Sequence, residues 1–94
     1  MPELSETVTI CNERGLHARA SAKFVGVVAK LPAGISVKVL KDGNDAEGGS
    51  ILGLMMLGAA RGDTIQITVS GPNGDAEPAL AKLTGLVKDG FGED

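Results

Sequence analysis

The chain has 94 residues, enough for one small domain with a modest core, and 43% of them are apolar, which favours folding over disorder. Twelve Asp/Glu against nine Lys/Arg give a net charge of -3, and there are two Phe, no Tyr and no Trp. That balance argues against nucleic-acid binding, which needs cations for phosphates or aromatic platforms for bases. Cys11 is the only cysteine, so no internal disulfide is possible, as suits a reducing cytoplasm. With one His and one Cys, no metal site or cofactor is expected. Neither a leader-type start nor an apolar run near the roughly 20 residues of a bilayer span is present, so a cytoplasmic protein without membrane insertion is expected.

Residues 2–5 read as a polar lead-in. Thr7 to Cys11 alternates as a strand, with Val8 and Ile10 on one side and Cys11 at least half-buried. Asn12 to Gly15 is a loop. From Ala18 the period becomes helical, placing Ala20, Phe24, Val27, Val28 and Leu31 on one face until Pro32 stops it. Ile35, Val37 and Val39 mark a second strand. Asp42-Gly43-Asn44-Asp45 reads as a hairpin turn and residues 46–48 as a short third strand.

Ser50 is a plausible N-cap for a helix from Ile51 to about Ala59. Thr64 to Val69 is the clearest strand, ended by Gly71-Pro72-Asn73-Gly74. A last helix runs from about Asp75 to Lys88 with Leu80, Leu83 and Val87 as its stripe. The acidic, Gly-rich stretch 89–94 is expected to be a mobile tail unless Phe91 docks. The order β-α-β-β-α-β-α predicts one α/β domain over 1–94, an antiparallel sheet with helices on one face and water on the other.

His17 is the only histidine, and it stands where the strand pattern gives way to the helix pattern. An imidazole keeps a substantial neutral, nucleophilic fraction near pH 7. The first helical turn offers free N–H groups and about half a positive charge, and Arg19 can add a charge-assisted contact. Arg14 and Lys23 make the neighbourhood locally basic. This combination favours a phosphoryl group carried on His17; a lone histidine is otherwise most often an ordinary polar residue at a helix start. A second feature is the over-apolar helix after Ser50. With Leu54 and Leu57 inward, Ile51, Leu52, Met55 and Met56 point largely outward, as a docking patch would. The competing expectation is that Met55 or Met56 fills core gaps. Ser50 is most simply a cap, and it could also be phosphorylated.

The segment Gly15-Leu16-His17-Ala18-Arg19-Ala20-Ser21-Ala22-Lys23-Phe24-Val25 resembles the active-site segment of the HPr family, histidine phosphocarriers of the phosphoenolpyruvate-dependent phosphotransferase system. Ser50 to Ala60, followed by Arg61-Gly62-Asp63, resembles the family's regulatory-serine helix and turn. The resemblance implies an open-faced β-sandwich, four antiparallel strands under three helices. It also implies phosphorylation of His17 on Nδ1 by enzyme I and transfer to an EIIA-type protein, with Arg19 stabilising the phosphate.

The resemblance further marks Ser50 as the position modified by HPr kinase/phosphatase, and Ala18, Ala22, Ile51, Leu52, Met55 and Met56 as the partner surface. A monomer without independent enzymatic turnover follows from it. The Leu54-Met55-Met56-Leu57 stretch and the Gly90-to-Asp94 ending look closer to the nitrogen-related branch than to the sugar-transport branch. Three departures from the family pattern stand out: Ala20 replaces the usual Pro, Gly48-Gly49 precede Ser50 in place of a polar or basic residue, and Arg14 stands where a small or amide residue is frequent. The alternative is a non-catalytic regulatory module acting through the Ile51–Met56 surface.

Overall fold

A computed structural model describes residues 3–72 and 74–93. The elements are β1 (Glu3–Thr9), α1 (Ala18–Ala29), β2 (Ser36–Lys41), β3 (Asn44–Glu47), α2 (Ile51–Met56), β4 (Thr64–Ser70), α3 (Ala76–Lys88) and a 3-10 turn (Gly90–Gly92). The four strands form one antiparallel sheet in the order β1-β4-β2-β3. Inward residues pair across it: Val8 faces Ile65, Val39 faces Ile67, and Val37 faces Val69. All six are buried beneath the helices, whereas Thr7, Thr64, Gln66 and Lys38 on the opposite pleat are exposed. The expected open-faced sandwich of four strands and three helices is what the chain forms.

The boundaries differ from the sequence reading in four places. First, β1 starts at Glu3, so most of the expected polar lead-in is strand (Pro2 lies outside the described residues). Edge pairing with β4 runs from Glu3 opposite Ser70, and backbone bonds suffice there without an apolar alternation. Glu6 is tolerated on the inner side because its carboxylate reaches Lys88 Nζ on α3, at 2.8 Å.

Second, the hairpin turn is the two residues Asp42-Gly43, both at positive φ (51° and 84°). A two-residue turn of this kind matches the strand twist, so Asn44 and Asp45 join β3. Third, α2 stops at Met56, with Leu57 as its C-cap and Gly58 beyond it. Fourth, Cys11 lies past the end of β1 and is exposed rather than half-buried. The expected turn at 71–74 includes Asn73, which lies outside the described residues.

The expected mobile tail is held to the domain through Glu93; Asp94 lies outside the described residues. Phe91 is 1% exposed, buried as deeply as Phe24 of α1. In a core otherwise built of aliphatic side chains, burying each ring is worth roughly 1.5–3 kcal/mol. Lys23 Nζ on α1 donates to the Phe91 carbonyl at 2.7 Å, tying the segment after α3 across the start of α1.

Candidate functional site

The loop before α1 is shaped by its contact with the turn before β4. Gly15 has φ +64°, and a Cβ there would run into the Ala59 carbonyl oxygen. Only glycine satisfies both demands. The neighbouring Leu16 N–H donates to that same oxygen at 2.9 Å. The turn is fixed in its own right: Asp63 Oδ2 accepts the Ala60 N–H, and Ile10 exchanges backbone bonds with Gly62 and Asp63. The two segments that stood out in the sequence are therefore physically joined, and the turn after α2 sets the height of the loop that presents His17.

His17 is the N-cap of α1, with extended backbone. Its Nδ1 accepts the Arg19 N–H at 3.2 Å, satisfying one donor of the first turn. Its Nε2 lies 2.6 Å from Glu93 Oε2. An imidazole nitrogen that accepts an N–H bears a lone pair, so the ring proton resides on Nε2 and is donated to the carboxylate; the network assigns this tautomer. The ring is partly exposed, at 21% for its side chain.

Asn12, almost fully buried, supports this arrangement from below. Its Nδ2 donates to the Gly15 carbonyl at 2.8 Å and to Glu93 Oε1 at 2.9 Å. Both partners are acceptors, which fixes the amide's orientation. The Glu93 carboxyl is held below its ordinary 4.5, first by the Asn12 amide and then by the His17 hydrogen bond and the charge of Lys23, against the opposing effect of burial.

Beside this group lies an open cleft of about 670 Å³ lined by Glu13, Arg14, Arg19, Lys23, Gly92 and Glu93. Among the described residues, no carboxylate pairs with the guanidinium of Arg14 or Arg19. The nucleophilic Nδ1, the start of a helix and two uncommitted guanidinium groups thus occur together. This arrangement can take up a tetrahedral anion and hold it by backbone N–H groups and charge.

Ser50 is the N-cap of α2, its Oγ accepting the Gly53 N–H at 3.0 Å. Leu54 is fully buried, while Ile51, Leu52, Met55 and Met56 are 41, 67, 40 and 78% exposed, so neither methionine fills the core. Ala18 and Ala22 are exposed on α1, the helix that packs against α2. Sequence reasoning missed Asn12 and Glu93, the second falling in an acidic stretch expected to be mobile unless Phe91 docks. The available signal was Phe91, a large apolar residue between glycines, which had to be buried somewhere. Ser21 was also missed; it is fully buried and its Oγ donates to the Leu16 carbonyl, at 3.3 Å. Among the described residues no His, Cys, Asp and Glu side chains gather as a metal site, and no helix is long and apolar enough to cross a membrane.

Fold and site together define a small open-faced sandwich that presents a half-buried histidine at a helix N-terminus, its Nδ1 lone pair facing the first turn. Residues 4–89 match the family model described as the PTS HPr component phosphorylation site. Phosphocarrier protein HPr of Neisseria meningitidis is 40% identical over 90 residues, covering 96% of this chain and 97% of the relative. Phosphocarrier protein NPr of Escherichia coli is 36% identical over 94 residues, covering 97% and 98%. The crystal structure of HPr from Thermoanaerobacter tengcongensis superposes with a TM-score of 0.81 at 35% identity, covering 100% of this chain and 99% of that one. The chain belongs to the HPr/NPr family of phosphocarriers of the phosphotransferase system. Relatives of both names match it at similar identity.

Proposed function

We propose that this protein accepts a phosphoryl group on Nδ1 of His17 from phosphorylated enzyme I and passes it to a histidine of an EIIA-type protein. It acts as a cytoplasmic monomer, without a cofactor and without turnover of its own. The observation that carries this reading is the division of labour on the imidazole. Nε2 is engaged by Glu93, while the lone pair of Nδ1 is directed at the N-terminus of α1. On phosphorylation the Arg19 N–H turns from Nδ1 to a phosphoryl oxygen, and the Arg19 guanidinium adds charge. A phosphoramidate of this kind is labile and suits onward transfer.

Partners dock on Ala18, Ala22, Ile51, Leu52, Met55 and Met56. Ser50 is the regulatory position, open to an HPr kinase/phosphatase. A phosphate there is tolerated by the helix dipole, and it sets about -2 charge beside Ile51 and Leu52.

The test is phosphotransfer with phosphoenolpyruvate and enzyme I of the sugar type or of the nitrogen type, followed by intact mass. The expected product carries one phosphate that is acid-labile, base-stable and absent in His17→Ala, and the faster enzyme I names the branch. If neither enzyme labels the protein while a partner still binds through Ile51–Met56, it is a regulatory module and not a carrier.

A further inference from the structure

Glu93 is brought to His17 by a segment that had no need to be there. After α3 the chain turns through Gly90, and Phe91 adopts a left-handed backbone (φ 58°, ψ 24°), which a bulky residue holds only under constraint from its surroundings. Burial of the Phe91 ring and the Lys23 bond to its carbonyl provide that constraint. Two residues on, Glu93 is gripped at Oε1 by Asn12 and at Oε2 by His17. Asn12 makes this grip while its own buried Oδ1 has no hydrogen-bond partner among the described residues.

The geometry points to Glu93 as a positioning residue for His17: its carboxylate holds the proton on Nε2, which directs phosphoryl capture to Nδ1 and keeps the phosphorylated ring in its proton-bearing, readily donating form. This rests on the phosphocarrier reading above. In the loading step the Nδ1 lone pair forms the new N–P bond. The bond between phosphorus and the donor's histidine breaks, and its electron pair returns to the donor nitrogen. The His17 ring keeps its Nε2 proton and gains a positive charge, which faces the Glu93 carboxylate.

In the onward step the N–P bond breaks and its electron pair returns to Nδ1, so His17 leaves as neutral imidazole. Without the Nε2 proton it would have to leave as imidazolate, a much poorer leaving group. One carboxylate thus serves both directions. The other charged groups around it are Lys23 and Arg19 of α1 and Arg14 and Glu13 of the loop, which line the same cleft.

Glu93→Gln is the informative variant, because it keeps size and leaves the Phe91 anchor in place. Asn12 and His17 both donate to this side chain, and a glutamine has only one oxygen to offer, so one of the two bonds must fail. In the full-length, nitrogen-15-labelled protein, the Nε2 proton of His17 is expected as a resolved resonance protected from water exchange, and it is expected to exchange faster in Glu93→Gln, where either the His17 bond or the Asn12 bond that fixes its acceptor is gone. Both proteins are then loaded with phosphoramidate as a small-molecule donor, and the phosphorylated ring is titrated by phosphorus and nitrogen NMR. Loading is expected on Nδ1 in the wild type. The variant's phosphorylated ring is expected to bind its Nε2 proton about tenfold more weakly, a shift of about one pH unit.

Equal exchange of the Nε2 proton in both proteins, or equal titration of the two phosphorylated rings, overturns the proposal. Failure of enzyme I to label His17 is a separate result: it removes the carrier reading and the transfer role, whereas the Nε2 proton reports on Glu93 without any phosphotransfer.

Discussion

At the start of α1 the Nδ1 of His17 accepts the Arg19 N–H at 3.2 Å; at the start of α2 the Oγ of Ser50 accepts the Gly53 N–H at 3.0 Å. The two caps do the same local work, but their surroundings differ. α1 has 12 residues, its cap is held from behind by Glu93, and charged side chains line the cleft beside it. α2 has six residues, its cap follows Gly48-Gly49, and its exposed face is apolar. On the proposed reading, what suits the His17 cap to accept a phosphoryl group is a nucleophilic nitrogen with a supported proton and cationic neighbours. The same geometry built on a hydroxyl beside apolar side chains holds a short helix in place and presents a surface.

The largest expected effect separates capping from chemistry at His17. Asparagine is among the best N-cap residues, so His17→Asn is expected to keep the cap and remain within about 1 kcal/mol of the parent in stability. It is expected to lose all acid-labile labelling by enzyme I. Denaturant unfolding and intact mass check the two halves of this outcome, and residual acid-labile phosphate in the variant would place the acceptor elsewhere.

A smaller effect is expected at the other helix when its surface is changed and its cap is not. Leu52→Asp near the start of α2 and Met56→Lys at its end both suit the helix dipole, and together they leave the net charge at -3. Both side chains are largely exposed, so stability is expected to change by less than about 0.5 kcal/mol. If these residues anchor the partner, losing about 2 kcal/mol of docking slows transfer from enzyme I about 30-fold at subsaturating concentration. An unchanged transfer rate would remove the patch from the docking surface.

Smaller still is the cap itself. Ser50→Ala is expected to cost about 1 kcal/mol, seen as a fall of about 4–8 °C in midpoint for a domain of this size. Labelling of His17 by phosphoramidate should be unaffected, since that reaction needs no partner surface. Ser50→Asp keeps an acceptor at the cap and is expected to recover most of the stability. If instead Ser50→Ala lowers chemical labelling of His17, the two helix starts are coupled and not independent.

Much of this contrast was legible in the sequence because each signal was local. Strand and helix periods, the Pro32 stop and the Ser50 cap depend on near neighbours, as does the outward face of α2, since a helix of two turns cannot bury six large side chains. The positions of His17 and Arg19 were legible for the same reason. What escaped was set by distant partners. β1 begins at Glu3 because β4 supplies its hydrogen bonds from more than 60 positions away. Glu93 reaches His17 across 76 positions, and Asn12 is its counterpart across 81. An acidic, Gly-rich stretch carries no period to read; only Phe91 hinted at its docking, without saying where.

The smallest expected effect is confined to that stretch and is driven by pH. A carboxyl whose folded value lies below its unfolded one favours the folded arrangement above the unfolded value, and this contribution is lost as pH falls through the folded value. Glu93 is such a group, held below 4.5 chiefly by the Asn12 amide. Docking of residues 90–93 is therefore expected to persist from neutral pH down to the ordinary carboxylate range and to weaken below it. Protonation leaves the carboxyl a poor partner for two donors. Amide exchange at Phe91 and Glu93 against pH should show this acid step in the wild type and lose it in Glu93→Gln. The start of α2 is the internal control, because the Ser50 hydroxyl and the Gly53 N–H do not titrate in that range. Loosening of both helix starts together would mark a global acid transition, whereas loosening of the Glu93 segment alone assigns the step to the carboxylate that faces His17.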